Sequence, residues 1–232
     1  MTRGIFIAGN ESAISRAVEN ETVNRVEKYT AAFIPNRLSG ASKNISPANK
    51  KRLPLEWNPS SPISARTMIL AAENRLEKID EAILICSPPS IQVSASDITL
   101  SDVEIMINDN IKGWFYLIKE LSAVFRNRKR GTLALVYPEI VTDAVTNGAA
   151  DILGASCLAS FSAVTKGLLA DADNEPYITA GFSSSNTGNE SAFASFIYKT
   201  IEETDKRTNG KLHKWRYSSL VNRLEKLRLR SN

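Results

Sequence analysis

The run Glu81-Ala82-Ile83-Leu84-Ile85-Cys86, halted by Ser87-Pro88-Pro89, narrows the fold more than any other stretch of the chain. It is apolar on consecutive positions, so it reads as a short strand buried on both faces. The theme recurs along the sequence. Ile5–Ala8, Ala31–Ile34, Leu53–Trp57, "TLALVY" (132–137), "PYITAGF" (176–182) and "KLHKWRY" (211–217) are strand-like, and several stop at Gly, Pro or Asn. Helical spacing fills the gaps. Ala13, Ile14, Ala17 and Val18 follow the first run, and good helix formers follow "SSP" at 60–62. Ile111, Trp114, Leu117, Ile118, Leu121, Val124 and Phe125 form an amphipathic stripe that ends at "RNRKRG". A helix of small residues is expected over roughly 149–172, and another over 193–203. Alternation of this kind predicts an α/β protein with a doubly wound parallel sheet, in three layers α/β/α.

With 232 residues, 43% of them hydrophobic, the chain has enough apolar mass for one such domain and too little for two. We expect residues 1–216 to form it, and 217–232 to form a basic amphipathic helix with Leu220, Leu224 and Leu227 on one face. The charge is unevenly placed. From Lys206 onward nine Lys or Arg face one acid, whereas the preceding 205 residues carry 20 basic and 24 acidic side chains. A mildly acidic body with a basic tail argues against a nucleic-acid partner and leaves a protein partner for the tail. No apolar run approaches the ~20 residues of a membrane span, and no secretory leader is expected at the N-terminus. Cys86 and Cys157 sit in apolar surroundings without ligand-like spacing, which predicts two buried thiols in a cytoplasmic protein and no metal. The single histidine, His213, rules out a Ser-His-Asp arrangement built elsewhere.

The opening "GIFIAGNESAISRAV" reads as strand, tight turn and helix, the unit whose backbone N–H groups can hold a pyrophosphate. From here the chain resembles the short-chain dehydrogenase/reductase family. "AGNESAIS" stands for the family's TGxxxGxG: Gly9 is kept, while Ala8, Ala13 and Ser15 replace the threonine and the later glycines. "AILICSPPS" matches the strand before NNAG, with "CSPP" in place of the motif. Asn110 matches the Asn that begins the long helix, "SAVTK" matches YxxxK with Lys166 kept and Ser162 in place of tyrosine, and Gly181 in "TAGF" matches the PG turn. "TNGKLHKW" matches the last strand.

The resemblance implies a Rossmann-like fold, an oligomer (homodimer or homotetramer) built through the 111–125 and 149–172 helices, and NADP or NAD as cofactor. Gly9, Asn10, Ser12, Ile14 and Lys166 are then the cofactor-binding candidates, with Arg37 for a 2′-phosphate. Lys166, Asn110, Ser162 and Tyr137 are the catalytic candidates, Tyr137 because it occupies the place of the substrate-orienting serine after "TLALV". A serine hydroxyl is far too weak an acid to do a tyrosine's work without a dedicated base. The expectation is therefore weak or lost oxidoreductase activity and a binding role. The alternative is an active NADP(H)-dependent carbonyl reductase with a relocated acid, Tyr137 or Tyr177. Ala13 crowds the pyrophosphate, and Glu11 adds up to roughly 3 kcal/mol of repulsion at about 6 Å and an effective dielectric of about 20. Both point to weak or absent nucleotide binding.

Overall fold

A computed structural model describes residues 3–25, 28–34, 52–139, 151–185, 188–203 and 208–216. Seven strands, β1 (Gly4–Asn10), β2 (Lys28–Ile34), β3 (Arg52–Pro54), β4 (Glu81–Ile85), β5 (Thr132–Pro138), β6 (Ile178–Ser184) and β7 (Lys211–Trp215), form one parallel sheet. Its order is β3-β2-β1-β4-β5-β6-β7, so the winding reverses between β1 and β4.

The sheet is buried on both faces, as its apolar strands require. All seven residues of β1 and all five of β4 are buried. Alternation along β1 sends Ile5 and Ile7 to one layer and Phe6 and Ala8 to the other. The first layer holds α1 (Ala13–Arg25) and α6 (Glu190–Glu202), which contribute Val18, Phe193, Ile197 and Tyr198. The second holds α2 (Pro62–Leu76), α4 (Gly113–Arg128) and α5 (Ile152–Ala170), which contribute Met68, Trp114, Leu117, Phe125 and Phe161. The result is the Rossmann-like three-layer sandwich expected from the sequence.

Some boundaries differ for identifiable reasons. β2 begins at Lys28, earlier than its apolar run, because Tyr29 and Thr30 are both fully buried despite their polar atoms. A helix unforeseen in the sequence, α3 (Leu100–Ile107), starts with a reciprocal cap. The Thr99 side chain accepts from the Asp102 N–H, and the Asp102 carboxylate accepts from the Thr99 N–H. A π-helical turn, Asn108–Lys112, joins α3 to α4, so the expected start at Ile111 falls inside that turn. At β3 the strand covers Arg52–Pro54 and not 53–57, although the Leu55 N–H still bonds the Ala31 carbonyl. Arg37, the 217–232 tail and most of the polar 38–53 stretch lie outside the described residues.

Against expectation, one described helix is long and apolar enough to cross a membrane by length and composition. This is α5, with 19 residues and a mean hydropathy of 1.5. Its inner face, Cys157, Phe161, Thr165 and Leu169, is buried against the rest of the fold. Its outer face carries Ile152, Ser156, Ala159, Ala163, Lys166 and Gly167 at the surface, and only 28% of the helix is buried.

The α4–β5 turn depends on Gly131, whose φ is +141°, and an added Cβ there would overlap the ring of Phe125. Phe125 is fully buried and has no room to retreat. Gly131→Ala is expected to destabilise the chain by about 3 kcal/mol, lowering Tm by roughly 6–12 °C for a domain of this size. Thermal unfolding checks this, and a fall under about 2 °C would mean that the turn relaxes freely.

Candidate functional site

In open α/β sheets the ligand crevice lies beyond the carboxyl ends of the strands where the winding reverses, here between β1 and β4. The β1–α1 turn that borders it is tight. An added Cβ on Gly9 would sit 2.9 Å from the Ile85 carbonyl oxygen and 3.0 Å from Ser15 Oγ. Gly9 is therefore fixed by the close approach of β4 and α1, whatever the crevice holds. Ser15 is buried, and its hydroxyl donates to the Asn10 carbonyl at 2.6 Å. The Ser12 hydroxyl accepts from the Ser15 N–H at 3.1 Å and lies 3.0 Å from Ser15 Oγ. Ala13 opens α1 with its methyl at the surface, and Ile14 is half-buried.

Glu11 is not the isolated negative charge that the sequence implied. Arg16, one turn along α1, stands 4.0 Å from it and, from an exposed position, supplies a partial counter-charge. Arg16 lies one residue past the end of the "AGNESAIS" motif, so the motif carries no sign of it.

Asn10, the last residue of β1, is 4% exposed and its amide is used on both sides. Nδ2 donates to Asn110 Oδ1 at 2.7 Å, and Oδ1 accepts the Ser87 N–H at 2.9 Å. Asn110, in the π-helical turn and 2% exposed, in turn directs Nδ2 at Met106 Sδ, 3.6 Å away. No motif or periodicity pairs these two asparagines, which lie one hundred residues apart.

Tyr137 and Ser162 also meet. Tyr137 leaves β5 toward α5, and its hydroxyl accepts from Ser162 Oγ at 3.2 Å. The tyrosine is 4% exposed, and its ring stands edge-on to Phe161 with centroids 6.0 Å apart. That contact continues an aromatic row from Phe161 to Trp114 (5.5 Å) and on to Trp57 (5.6 Å). Lys166 lies one turn beyond Ser162, on the exposed side of α5. Tyr177, the other candidate for a relocated acid, stands just before β6, at the amino end of the sheet and away from the crevice. Its hydroxyl donates to Ser122 Oγ at 3.0 Å, and burial raises its pKa further from neutrality. From there it does not reach the crevice as an acid.

Cys86, at the exit of β4, and Cys157, on α5, are both free and buried. Burial, and secondarily Cys157, pushes the Cys86 thiol well above its usual range; burial and the charge of Asp151 push Cys157 up to about 11. Burial also lowers the pKa of His213, which stacks on Phe182 at 5.4 Å. Among the described residues no group of three or more metal-ligating side chains gathers.

Comparison with known proteins agrees with this geometry at the level of fold. No protein-family model and no curated protein sequence matches the chain. Solved structures do. A short chain dehydrogenase from Bacillus anthracis str. 'Ames Ancestor' superposes with a TM-score of 0.71 at 15% identity, covering 92% of this chain and 95% of that one. A putative 3-oxoacyl-reductase from Bacillus thuringiensis gives 0.71 at 12% identity over 94% and 98%. A short-chain dehydrogenase/reductase from Serratia marcescens gives 0.65 at 13% over 92% and 95%. The chain thus has the fold of the short-chain dehydrogenases/reductases over nearly its full length, as its motifs implied, and identities this low establish the fold alone.

Both thiols should be nearly inert in the native chain. With a pKa of about 11, Cys157 is about one part in a thousand thiolate at pH 8, against about a quarter for a free cysteine. A disulfide-exchange reagent at pH 8 is expected to titrate neither cysteine within minutes in the folded protein and both after denaturation. Rapid native labelling would contradict the burial described.

Proposed function

We propose that this chain is a divergent protein of the short-chain dehydrogenase/reductase fold in which hydride transfer is weak or lost, and that it serves as a binding or interaction module. One observation carries the reading: the polar groups of the crevice are engaged with one another. Asn10 is bonded to Asn110 and Ser87, and Ser162 to Tyr137. The Asn10 amide thus presents its oxygen and an N–H to the protein, while Tyr137 is engaged as an acceptor and keeps its own O–H proton.

The residues present do not fit an extended nicotinamide dinucleotide. Such a ligand would cross the carboxyl ends of β1 and β4, where the Asn10 amide lies. Ser12 is already bonded to Ser15, and the methyl of Ala13 stands where the pyrophosphate would approach. In this reading binding of NADP or NAD through Gly9, Asn10, Ser12, Ile14, Arg37 and Lys166 is weak or absent, and no reaction step runs through the cofactor.

A second reading has one specific observation in its favour. The Tyr137 hydroxyl meets Ser162 where the family resemblance places a serine and a tyrosine in the opposite arrangement. An active NADP(H)-dependent carbonyl reductase would then draw its proton from Tyr137, with Asn110 and Lys166 as the other members of the site. Calorimetric titration with NADPH and NADH separates the two. We expect dissociation constants above the micromolar range for both nucleotides. Tight binding of either one would restore the enzyme.

The outer faces of α4 and α5 support a homo-oligomer. Phe115 is 51% and Ile152 42% exposed, and the surface of α5 between Ile152 and Ala170 carries one charge, Lys166. Small residues there (Ser156, Ala159, Ala163, Gly167) permit close approach of a second copy. The two free buried thiols support a cytoplasmic site of action. Nucleic acid is not a partner in this reading, and the 217–232 tail is left to a protein. Light scattering at micromolar concentration is expected to give a dimer or tetramer of the 25.5 kDa chain, and Ala163→Arg to give the monomer. A wild-type monomer would remove this part of the reading.

A further inference from the structure

We propose that the Asn10 side chain is a bolt across the dinucleotide crevice, holding its two walls together and excluding a ligand that would lie over the end of β4. The inference rests on the reading above that nicotinamide dinucleotides bind weakly, and it assigns that weakness chiefly to one side chain.

The segment leaving β4, Ser87-Pro88-Pro89, contains two residues without a backbone N–H. Ser87 therefore supplies the single backbone donor that the β4 exit can offer a ligand, and Asn10 Oδ1 already accepts it at 2.9 Å. The other end of the same amide donates to Asn110 at 2.7 Å. One planar group thus joins the end of β1, the exit of β4 and the π-helical turn before α4.

The bolt has little freedom to swing aside. The Asn10 carbonyl is held by Ser15 Oγ at 2.6 Å, and the next N–H, of Glu11, is held by the Ile34 carbonyl at 3.0 Å. Asn110 is 2% exposed and is positioned within the π-helical turn, with its own Nδ2 directed at Met106. A ligand lying over Ser87 must displace Asn10 and leave Asn110 Oδ1 buried without its donor, which is unfavourable. Its apparent dissociation constant is the intrinsic one divided by the fraction of chains in which the bolt is open. Shortening the side chain makes that fraction unity without touching Gly9, Ser12 or Ala13.

The full-length chain carrying Asn10→Ala tests this with two measurements, calorimetric titration with NADPH and amide exchange at Ser87. In the wild type the Ser87 N–H is expected to be protected. In the variant its exchange should accelerate at least tenfold, and NADPH should bind at least tenfold more tightly. Asn10→Ser, whose hydroxyl is too short to reach either partner but keeps a polar group in the turn, should behave in the same way and serves if the alanine variant does not fold. Faster Ser87 exchange with unchanged NADPH affinity overturns the bolt, and so does a wild-type Ser87 N–H that exchanges as fast as an open loop. Tight NADPH binding by the wild type is a different failure. It overturns the proposed function directly and is seen before any variant is made.

Discussion

The architecture of the crevice hangs on how closely β1, β4 and α1 approach one another at Gly9. A side chain there would meet the Ile85 carbonyl and the Ser15 hydroxyl at about the limit of contact, so the two strands and the helix are in register only because position 9 has none. From that contact the rest follows in order. β1 can pair with β2 on one side and β4 on the other, and the reversal of winding opens a crevice at their carboxyl ends. α1 can start directly from the strand. The side chain of Asn10, one residue later, is then delivered to the floor of that crevice. A glycine at this place is often taken as a sign of nucleotide binding, but here packing alone requires it.

Once the strands are packed this tightly, polar groups at their ends must find partners within the protein. Four residues show the consequence. Asn10 and Asn110 bond each other, and so do Tyr137 and Ser162. Each pair joins a strand end to a helical segment and so links the crevice walls directly. A buried amide or hydroxyl left without a partner is more destabilising than a satisfied one is stabilising, so such pairs are hard to give up one member at a time.

Much of the fold was legible in the residues. Continuous apolar runs such as "AILIC" and "TLALV", short and closed by Pro, read as strands covered on both sides, and the stripe from Trp114 to Phe125 marks the buried face of α4. Legibility failed where polarity and burial diverge. Lys28-Tyr29-Thr30 looks like a linker yet extends β2, because the neighbouring strands and α1 cover it. The cap Thr99/Asp102 was a readable start signal for α3, but the helix it begins is short and buries only Met106. The candidate site was legible in its parts and not in its contacts. Gly9, Asn10, Asn110, Tyr137, Ser162 and Lys166 could each be named from their place in a motif, whereas Arg16 supplies a partial counter-charge to Glu11 from a position beyond the motif's end.

The sequence by itself determined the alternation of strand and helix, the burial of the sheet on both faces and the turn at Gly9. These depend on periodicity and on the conformational limits of single residues, which are local. Tertiary structure alone decided that Asn10 reaches Asn110 and Ser87, that the Tyr137 hydroxyl meets Ser162 on α5, and that Tyr177 stands at the far end of the sheet from the crevice. Those relations join residues between 25 and 100 positions apart. A chain encodes such distances only through the packing of everything between them, and it is packing that turned a row of motif residues into a network of internal hydrogen bonds.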